Sequence, residues 1–302
     1  MASAIPFVRE IEFDYGIVDQ VSPMIRRVVA KNPGPFTFHG TGTYIIGRGE
    51  VAVIDPGPLI DEHVDALCAA VAGETVSHIL VTHTHRDHSP ATAPFKQATG
   101  APSYAFGPHV AGTYWRGKDG EESHGGDTDF SPDHLVADGD IIEGPGWTFE
   151  AVHTPGHTDN HLCFALKEED TLFSGDQVMG WSTTVVSPPD GDMGDYIQSL
   201  RKLMGRDDAT YWPTHGPAIT APQPHVAALI AHREQREVVI ADALAAGTSQ
   251  ISHLVAAMYR DVPEKLHRAA ARTVHSHLIH MIETGRAACD GAPTAEADYA
   301  AV

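Results

Sequence analysis

His83-Thr84-His85-Arg86-Asp87-His88 places four metal-capable side chains within six residues, directly after the apolar run Ile79-Leu80-Val81. A strand that leaves a core and ends in His-x-His-x-Asp-His gathers imidazoles and a carboxylate around one point, the ligand mix that holds borderline cations such as zinc. The alternative is a polar loop in a chain that carries 20 histidines.

Three later segments add to this one. Thr154-Pro155-Gly156-His157-Thr158 follows the strand-like Thr148 to Val152, Phe173-Ser174-Gly175-Asp176 closes another apolar run, and Tyr211-Trp212-Pro213-Thr214-His215-Gly216 does the same further on. Each offers one ligand at a strand end, in a turn marked by Gly or Pro, where a rigid scaffold usually carries its chemistry. Seven candidate ligands exceed the needs of one tetrahedral zinc, so the sum implies two metals.

In order and spacing these four motifs resemble the metallo-β-lactamase fold of dinuclear hydrolases. The resemblance implies that His83, His85 and His157 bind one metal, that Asp87, His88 and His215 bind the other, and that Asp176 bridges them. It also implies a metal-bridging hydroxide as nucleophile, with Asp87 and Asp176 as the catalytic carboxylates and two zinc ions as cofactors; iron and manganese are the alternatives. Redox di-iron relatives usually carry Glu at the position of His85. True β-lactamases of this fold usually have Cys or Ser in place of Asp176, which leaves β-lactam hydrolysis as a side activity. A bridging Asp fits the phosphodiesterase, thioesterase and lactonase branches. Mononuclear iron persulfide dioxygenases share much of the first motif and stand as the alternative of another class.

The elements that position these residues follow from pattern. Thr43 to Ile46 and Val51 to Ile54 read as a hairpin closed by Asp55-Pro56-Gly57-Pro58, Asp61 to Val71 as a helix, and Ser77 to Thr82 as the next strand. Repetition of strand, turn and helix agrees with the αββα sandwich that the resemblance implies, two mixed sheets with helices outside. Asp55, ending its strand, is a candidate to hold a ligating imidazole by its free N–H, or to form an Asx turn before Pro56. Phe36, Trp181, Thr183, Thr184 and His161 are candidates to line the substrate pocket; Trp181 packing a loop and His161 serving a structural hydrogen bond are the competing readings. Thr113 to His134, broken by glycines among many charges, reads as a long polar loop, with His109, His124 and His134 in or near it solvated rather than metal-bound.

From Pro224 the pattern turns helical: His225 to Ala246, Ser249 to Tyr259, and a helix opened by Pro263 that runs to about Glu283. With a short Thr284 to Ala287 remnant this suits a small winged-helix module. His267, His275, His277 and His280 on its last helix read as ordinary surface or interface histidines, because sequence places no carboxylate beside them. The expected organisation is a catalytic domain over 1–223, a winged-helix-like helical domain over 224–288, and a disordered polar tail over 289–302.

That module sharpens the likeness. Asn32 to Thr37, Gly40 to Tyr44, Thr154 to His161 and Ser174 to Asp176, with the helical end, resemble the β-lactamase-like protein 2 group of hydrolases over nearly the whole chain. Animal members of that group are endoribonucleases acting on single-stranded RNA. This chain departs at Gly42, where Asn is usual, at Pro90-Ala91, where Gly-Gly is usual, and at Thr214, where Gly is usual.

Composition bounds the partner. At 302 residues and 42% hydrophobic the chain can bury a sizeable core and a second small one. Forty acidic against twenty basic residues give a net charge of −20, a field that repels polyanions and points to a small-molecule substrate over RNA. The scattered Lys265, Arg268 and Arg272 make a poor recognition helix, so the module reads as an oligomerisation surface or a cleft wall, with a homo-oligomer as one outcome. No apolar run reaches the roughly 18 residues of a membrane span, and Arg9, Glu10, Glu12 and Asp14 interrupt any secretory h-region, which leads to the expectation of a cytoplasmic protein without membrane contact. Cys68, Cys163 and Cys289 read as structural or surface thiols. The expected activity is dizinc hydrolysis of a small ester, thioester or lactone, with single-strand endoribonuclease action as the alternative.

Overall fold

The computed structural model describes residues 5–110, 125–259 and 267–302. Among these, a seven-stranded sheet runs in sequence order through β1 (Asp19–Gln20), β2 (Ile25–Val29), β3 (Gly42–Arg48), β4 (Glu50–Ile54), β5 (Thr75–Leu80), β6 (Ser103–Ala105) and β7 (His134–Leu135). A five-stranded sheet holds β8 (Ile141–Gly144), β9 (Trp147–His153), β10 (Leu162–Leu166), β11 (Thr171–Gly175) and β12 (Thr210–Pro213), in the order β12-β11-β10-β9-β8. Both sheets are mixed: β4 to β7 pair in parallel and so do β11 and β12, while the other pairs are antiparallel.

Parallel neighbours need crossovers, and among the described residues helices supply three of the four. α1 (Asp61–Ala70) links β4 to β5, α2 (Thr92–Thr99) links β5 to β6, and α3 (Met193–Met204) links β11 to β12. Ile46, Ile54, Trp147, Phe149, Phe164 and Phe173 fill the space between the sheets, where apolar burial contributes most. Leu67 and Phe95 cover the outside of the first sheet; Tyr196, Leu200 and Val226 cover the second. This is the αββα sandwich read from the sequence. The expected hairpin is β3–β4 with Tyr44 opposite Ile54 and its turn at Gly49; within β3, Gly47 stands at φ 91°, where a Cβ would lie 2.8 Å from the Trp147 ring.

α4 (Pro222–Ala245), α5 (Ile251–Met258) and α6 (His267–Glu283) form the helical end, with Pro222 at the first turn of α4 where a missing N–H costs nothing. Pro263 and Lys265 lie outside the described residues. The proposed division at residue 223 falls at the start of a helix that serves two cores. Val226 and Leu229 of α4 pack with α3, whereas Ile240 and Leu244 pack with α5 and α6.

The tail departs from expectation. Instead of being disordered over 289–302, it carries β14 (Tyr299–Ala301), which pairs antiparallel with β13 (Ala287–Cys289). Tyr299 accounts for this: its ring is 2% exposed in the module's core and its hydroxyl donates to the Thr294 carbonyl at 2.7 Å. The three cysteines are free. No described helix is long and apolar enough to cross a membrane.

Candidate metal centre

Four strand ends deliver the predicted ligands to one edge of the sandwich. β5 runs out into His83, His85, Asp87 and His88; the exits of β9, β11 and β12 supply His157, Asp176 and His215. Two glycines make the approach feasible. A Cβ on Gly156, at φ 127°, would collide with the Tyr196 backbone, and one on Gly175, at φ 52°, would sit 2.5 Å from His161 Nε2.

The seven side chains divide into two groups. His83 Nε2 and His157 Nε2 each lie 3.0 Å from His85 Nδ1. Asp87 Oδ2 stands 3.5 Å from His88 Nε2 and 3.1 Å from His215 Nε2. Asp176 lies between them, with Oδ2 at 3.7 Å from both His157 Nε2 and His88 Nε2 and Oδ1 at 3.5 Å from His215 Nε2. Each of the two groups, and a third made of His83, His88 and Asp176, is compact enough to hold an ion.

The far ring nitrogens settle which atom each imidazole offers. His88 Nδ1 donates to Asp55 Oδ2 at 2.9 Å, His157 Nδ1 to the Val185 carbonyl at 2.6 Å, and His215 Nδ1 to the Gly40 carbonyl at 3.1 Å. His83 Nδ1 donates to Thr82 Oγ1 at 3.0 Å, and that hydroxyl donates in turn to Asp55 Oδ2 at 2.7 Å. With Nδ1 engaged in each ring, the four Nε2 atoms of His83, His88, His157 and His215 face the centre, the atoms that ligation would use once free of protons. Asp55, read from sequence as a candidate to hold an imidazole by its free N–H, meets His88 directly and His83 through Thr82, and is the hub of these hydrogen bonds. It is fully buried at φ 50°, and it also accepts from the Thr82 N–H at 2.7 Å and from Thr214 Oγ1 at 3.1 Å. Thr214, unusual for the resembled group, thus supplies a donor to the hub, beside a Gly42 whose Cβ would press on the Thr214 carbonyl at 3.2 Å.

The two groups differ in charge. Burial, reinforced by neighbouring imidazoles, drives His83 well below the ordinary histidine value and His157 down to about 4, so these nitrogens are proton-free at neutral pH. Burial also opposes the charged forms of His88 and His215, but Asp87 and Asp176 outweigh it, raising His88 well above its usual value and His215 to about 10. Burial pushes the two carboxylates up, and His88 and His215 more than reverse that, holding both well below the usual range. The site fits a cation on a direct test. His88 Nε2, His215 Nε2 and Asp176 Oδ1 are buried without a hydrogen bond, which buried polar atoms seldom tolerate, and each residue belongs to a group compact enough to hold an ion.

The other predicted residues fare differently. His161 is not placed to touch a substrate: it is fully buried, its Nδ1 donates to Thr154 Oγ1 at 2.9 Å, and its Nε2 accepts the backbone N–H of Asp176 at 3.1 Å. Thr184 is likewise 2% exposed and donates to the Asp176 carbonyl at 2.7 Å, bracing the turn. Trp181 stacks on Phe38 at 4.6 Å and lies against Gly216, next to His215; Phe36 is 56% exposed and Thr183 partly so.

His109 is a correction. Its side chain is only 4% exposed, with Nδ1 at 2.9 Å from Thr84 Oγ1 and Nε2 at 3.5 Å from Asp190 Oδ1. Asp190, which sequence reasoning missed, also brings Oδ2 to 3.9 Å from His85 Nε2. His134 is exposed as expected and stacks on Tyr104, while His124 lies outside the described residues. On α6, the carboxylate that sequence could not place is Glu237 of α4, at 3.1 Å from His277 Nδ1 and 2.7 Å from His280 Nδ1.

A sequence model of the metallo-beta-lactamase superfamily matches residues 37–215, and one of the beta-lactamase associated winged helix domain matches residues 251–295. The chain is 30% identical to the lactamase-like protein ptaB of Pestalotiopsis fici, over 84% of this chain and 78% of that protein. It is 32% identical to the atrochrysone carboxyl ACP thioesterase AacuM of Aspergillus aculeatus, over 73% of this chain and 64% of that protein. The chain thus spans just under two thirds of the thioesterase's length. A metallo-beta-lactamase family protein from Thermus thermophilus superposes with a TM-score of 0.74 at 22% identity, covering 93% of this chain and all of the other.

Proposed function

Because the chain belongs to the metallo-β-lactamase superfamily, we propose that it is a dinuclear zinc hydrolase of a small thioester, with related esters and lactones as secondary substrates. The observation that carries this reading is Asp176, whose two oxygens face histidines of different groups at 3.7 and 3.5 Å. The thioesterase name of a 32% identical relative supports the substrate class.

In this reading His83, His85 and His157 hold one metal, Asp87, His88 and His215 hold the second, and Asp176 serves both. A zinc pair would supply Lewis acidity, making bound water nucleophilic near neutral pH, polarising the thioester carbonyl and stabilising the departing thiolate. The chain's own contribution is positional. Asp55, Thr82 and the carbonyls of Gly40 and Val185 fix the ligating tautomers, so the rings do not have to reorient as the reaction proceeds. The stacked Phe38–Trp181 pair, against Gly216, offers an apolar wall for an acyl group. The charge of −20 favours a compact substrate over a polynucleotide.

A panel of acyl thioesters, lactones, a β-lactam and single-stranded RNA, run with wild-type and Asp87→Asn protein and with metal quantified in each sample, tests this. Thioester turnover that the variant and a chelator abolish is expected. RNA cleavage lost in the variant, without thioester turnover, would replace the proposal with a nuclease, and tightly held iron in place of zinc would replace it with an oxidoreductase.

A further inference from the structure

The helical end reaches the metal centre through one buried charge. Arg233, in the middle of α4, is 2% exposed, and its guanidinium lies 5.1 Å over the Tyr196 ring. Its Nη2 donates to the Thr184 carbonyl at 2.5 Å, while its Nε makes no hydrogen bond. Thr184 Oγ1 passes the contact on, donating to the carbonyls of Asp176 at 2.7 Å and Gln177 at 3.2 Å. Nearer the start of α4, His225 Nε2 donates to the Met179 carbonyl at 3.0 Å, so the helix grips the same loop twice. Asp176 is thereby held from three directions: by His161 on its N–H, by Thr184 on its carbonyl, and by α4 behind Thr184.

Burying a guanidinium with one donor unmatched is costly, and an apolar side chain of similar volume would pack such a position at least as well. Besides the Tyr196 ring, the guanidinium meets the Thr184 carbonyl, and the Thr184 hydroxyl is one hydrogen bond from the residue whose carboxylate faces both ligand groups. We propose that Arg233 is a positioning residue for Asp176, acting through Thr184, and that the helical module is part of the metal centre rather than an appendage to it. This rests on the reading of Asp176 as the carboxylate shared by two metals. A guanidinium suits the task because it stays charged at any working pH and its planar donors hold direction. Loosening the 176–184 turn would leave Asp176 free to turn away from one ligand group or the other, and both metals would be held less tightly.

The test is metal affinity, measured on full-length protein by zinc competition against a chromophoric chelator, with the visible spectrum of the cobalt-substituted protein as a second readout. Arg233→Met and Thr184→Val should each weaken zinc binding by about 10- to 100-fold and alter the cobalt bands, the range seen when an outer partner of a metal ligand is removed. The double variant should be little weaker than the worse single one, since both act along one link. Wild-type affinity in Arg233→Met, or multiplied losses in the double variant, would overturn the proposal. Should Arg233→Met fail to fold, Thr184→Val decides alone, because it removes only the hydroxyl step; wild-type affinity there overturns the link. If the wild type itself holds fewer than two metals, the shared-carboxylate reading falls, which is a different result from two metals held equally well by every variant.

Discussion

Asp55 Oδ2 accepts a hydrogen bond from His88 Nδ1 at 2.9 Å, wholly inside the protein. Asp55 leaves β4 and His88 follows β5, two parallel neighbours, so the pairing of strands sets the direction of the His88 ring. The same carboxylate takes three further hydrogen bonds, two from Thr82 and one from Thr214, and cannot swing away.

Asp55→Asn keeps the shape and tolerates the positive φ, but presents an NH2 where a donor now points. Metal affinity should fall by about 10- to 100-fold with the fold intact, and chelator competition alongside far-ultraviolet circular dichroism reads both. Unchanged affinity would mean that His88 is oriented by packing alone.

His161→Phe should deplete metal rather than weaken substrate binding. Removing the ring nitrogen leaves the buried N–H of Asp176 without a partner, at a cost of about 1–3 kcal/mol to the geometry of that residue. Metal per chain and KM, measured on the same preparation, separate the two roles. Full metal content with a raised KM would make His161 a substrate contact after all.

How much of this was legible in the sequence varies with distance along the chain. The seven side chains that meet at the centre were readable as candidates because their segments lie just past apolar runs, in local signals rich in His or Asp with Gly or Pro nearby. Asp55 was readable for the same reason. Asp190 and His109 were not: Asp190 approaches His85 and His109 meets Asp190, from loops far apart in sequence, and neither has a motif around it. His161 and Thr184 looked like pocket residues because they flank ligands, but flanking residues are as often spent on backbone groups, which the sequence does not reveal. The fold was legible as alternating strands and helices. The pairing of Tyr299 with Cys289 was not, since a three-residue strand has too little periodicity to register.

Stability of the metal-free protein should fall in mild acid. Burial lowers the pKa of His63 to about 4, while its Nε2 stands 3.0 Å from Thr43 Oγ1. Its folded value lies below that of the unfolded chain, so the unfolded state takes up the proton first; the contribution is complete above the unfolded value near 6.5 and is lost as pH falls towards the folded one. Between neutral pH and about pH 5 this amounts to roughly 2 kcal/mol. Urea denaturation of chelated wild-type and His63→Gln protein across that range checks it. The variant should lose less stability over the interval, and parallel curves would show that His63 does not carry the slope.

Elemental analysis of unchelated protein, with Asp176→Ala and His215→Ala beside it, bears most directly on the centre. About two metals per chain, chiefly zinc, are expected in the wild type. Asp176→Ala should lose metal from both groups and His215→Ala mainly from one, because the two oxygens of Asp176 face histidines of both groups. One metal or none in the wild type, or two retained in Asp176→Ala, would contradict a shared dinuclear site.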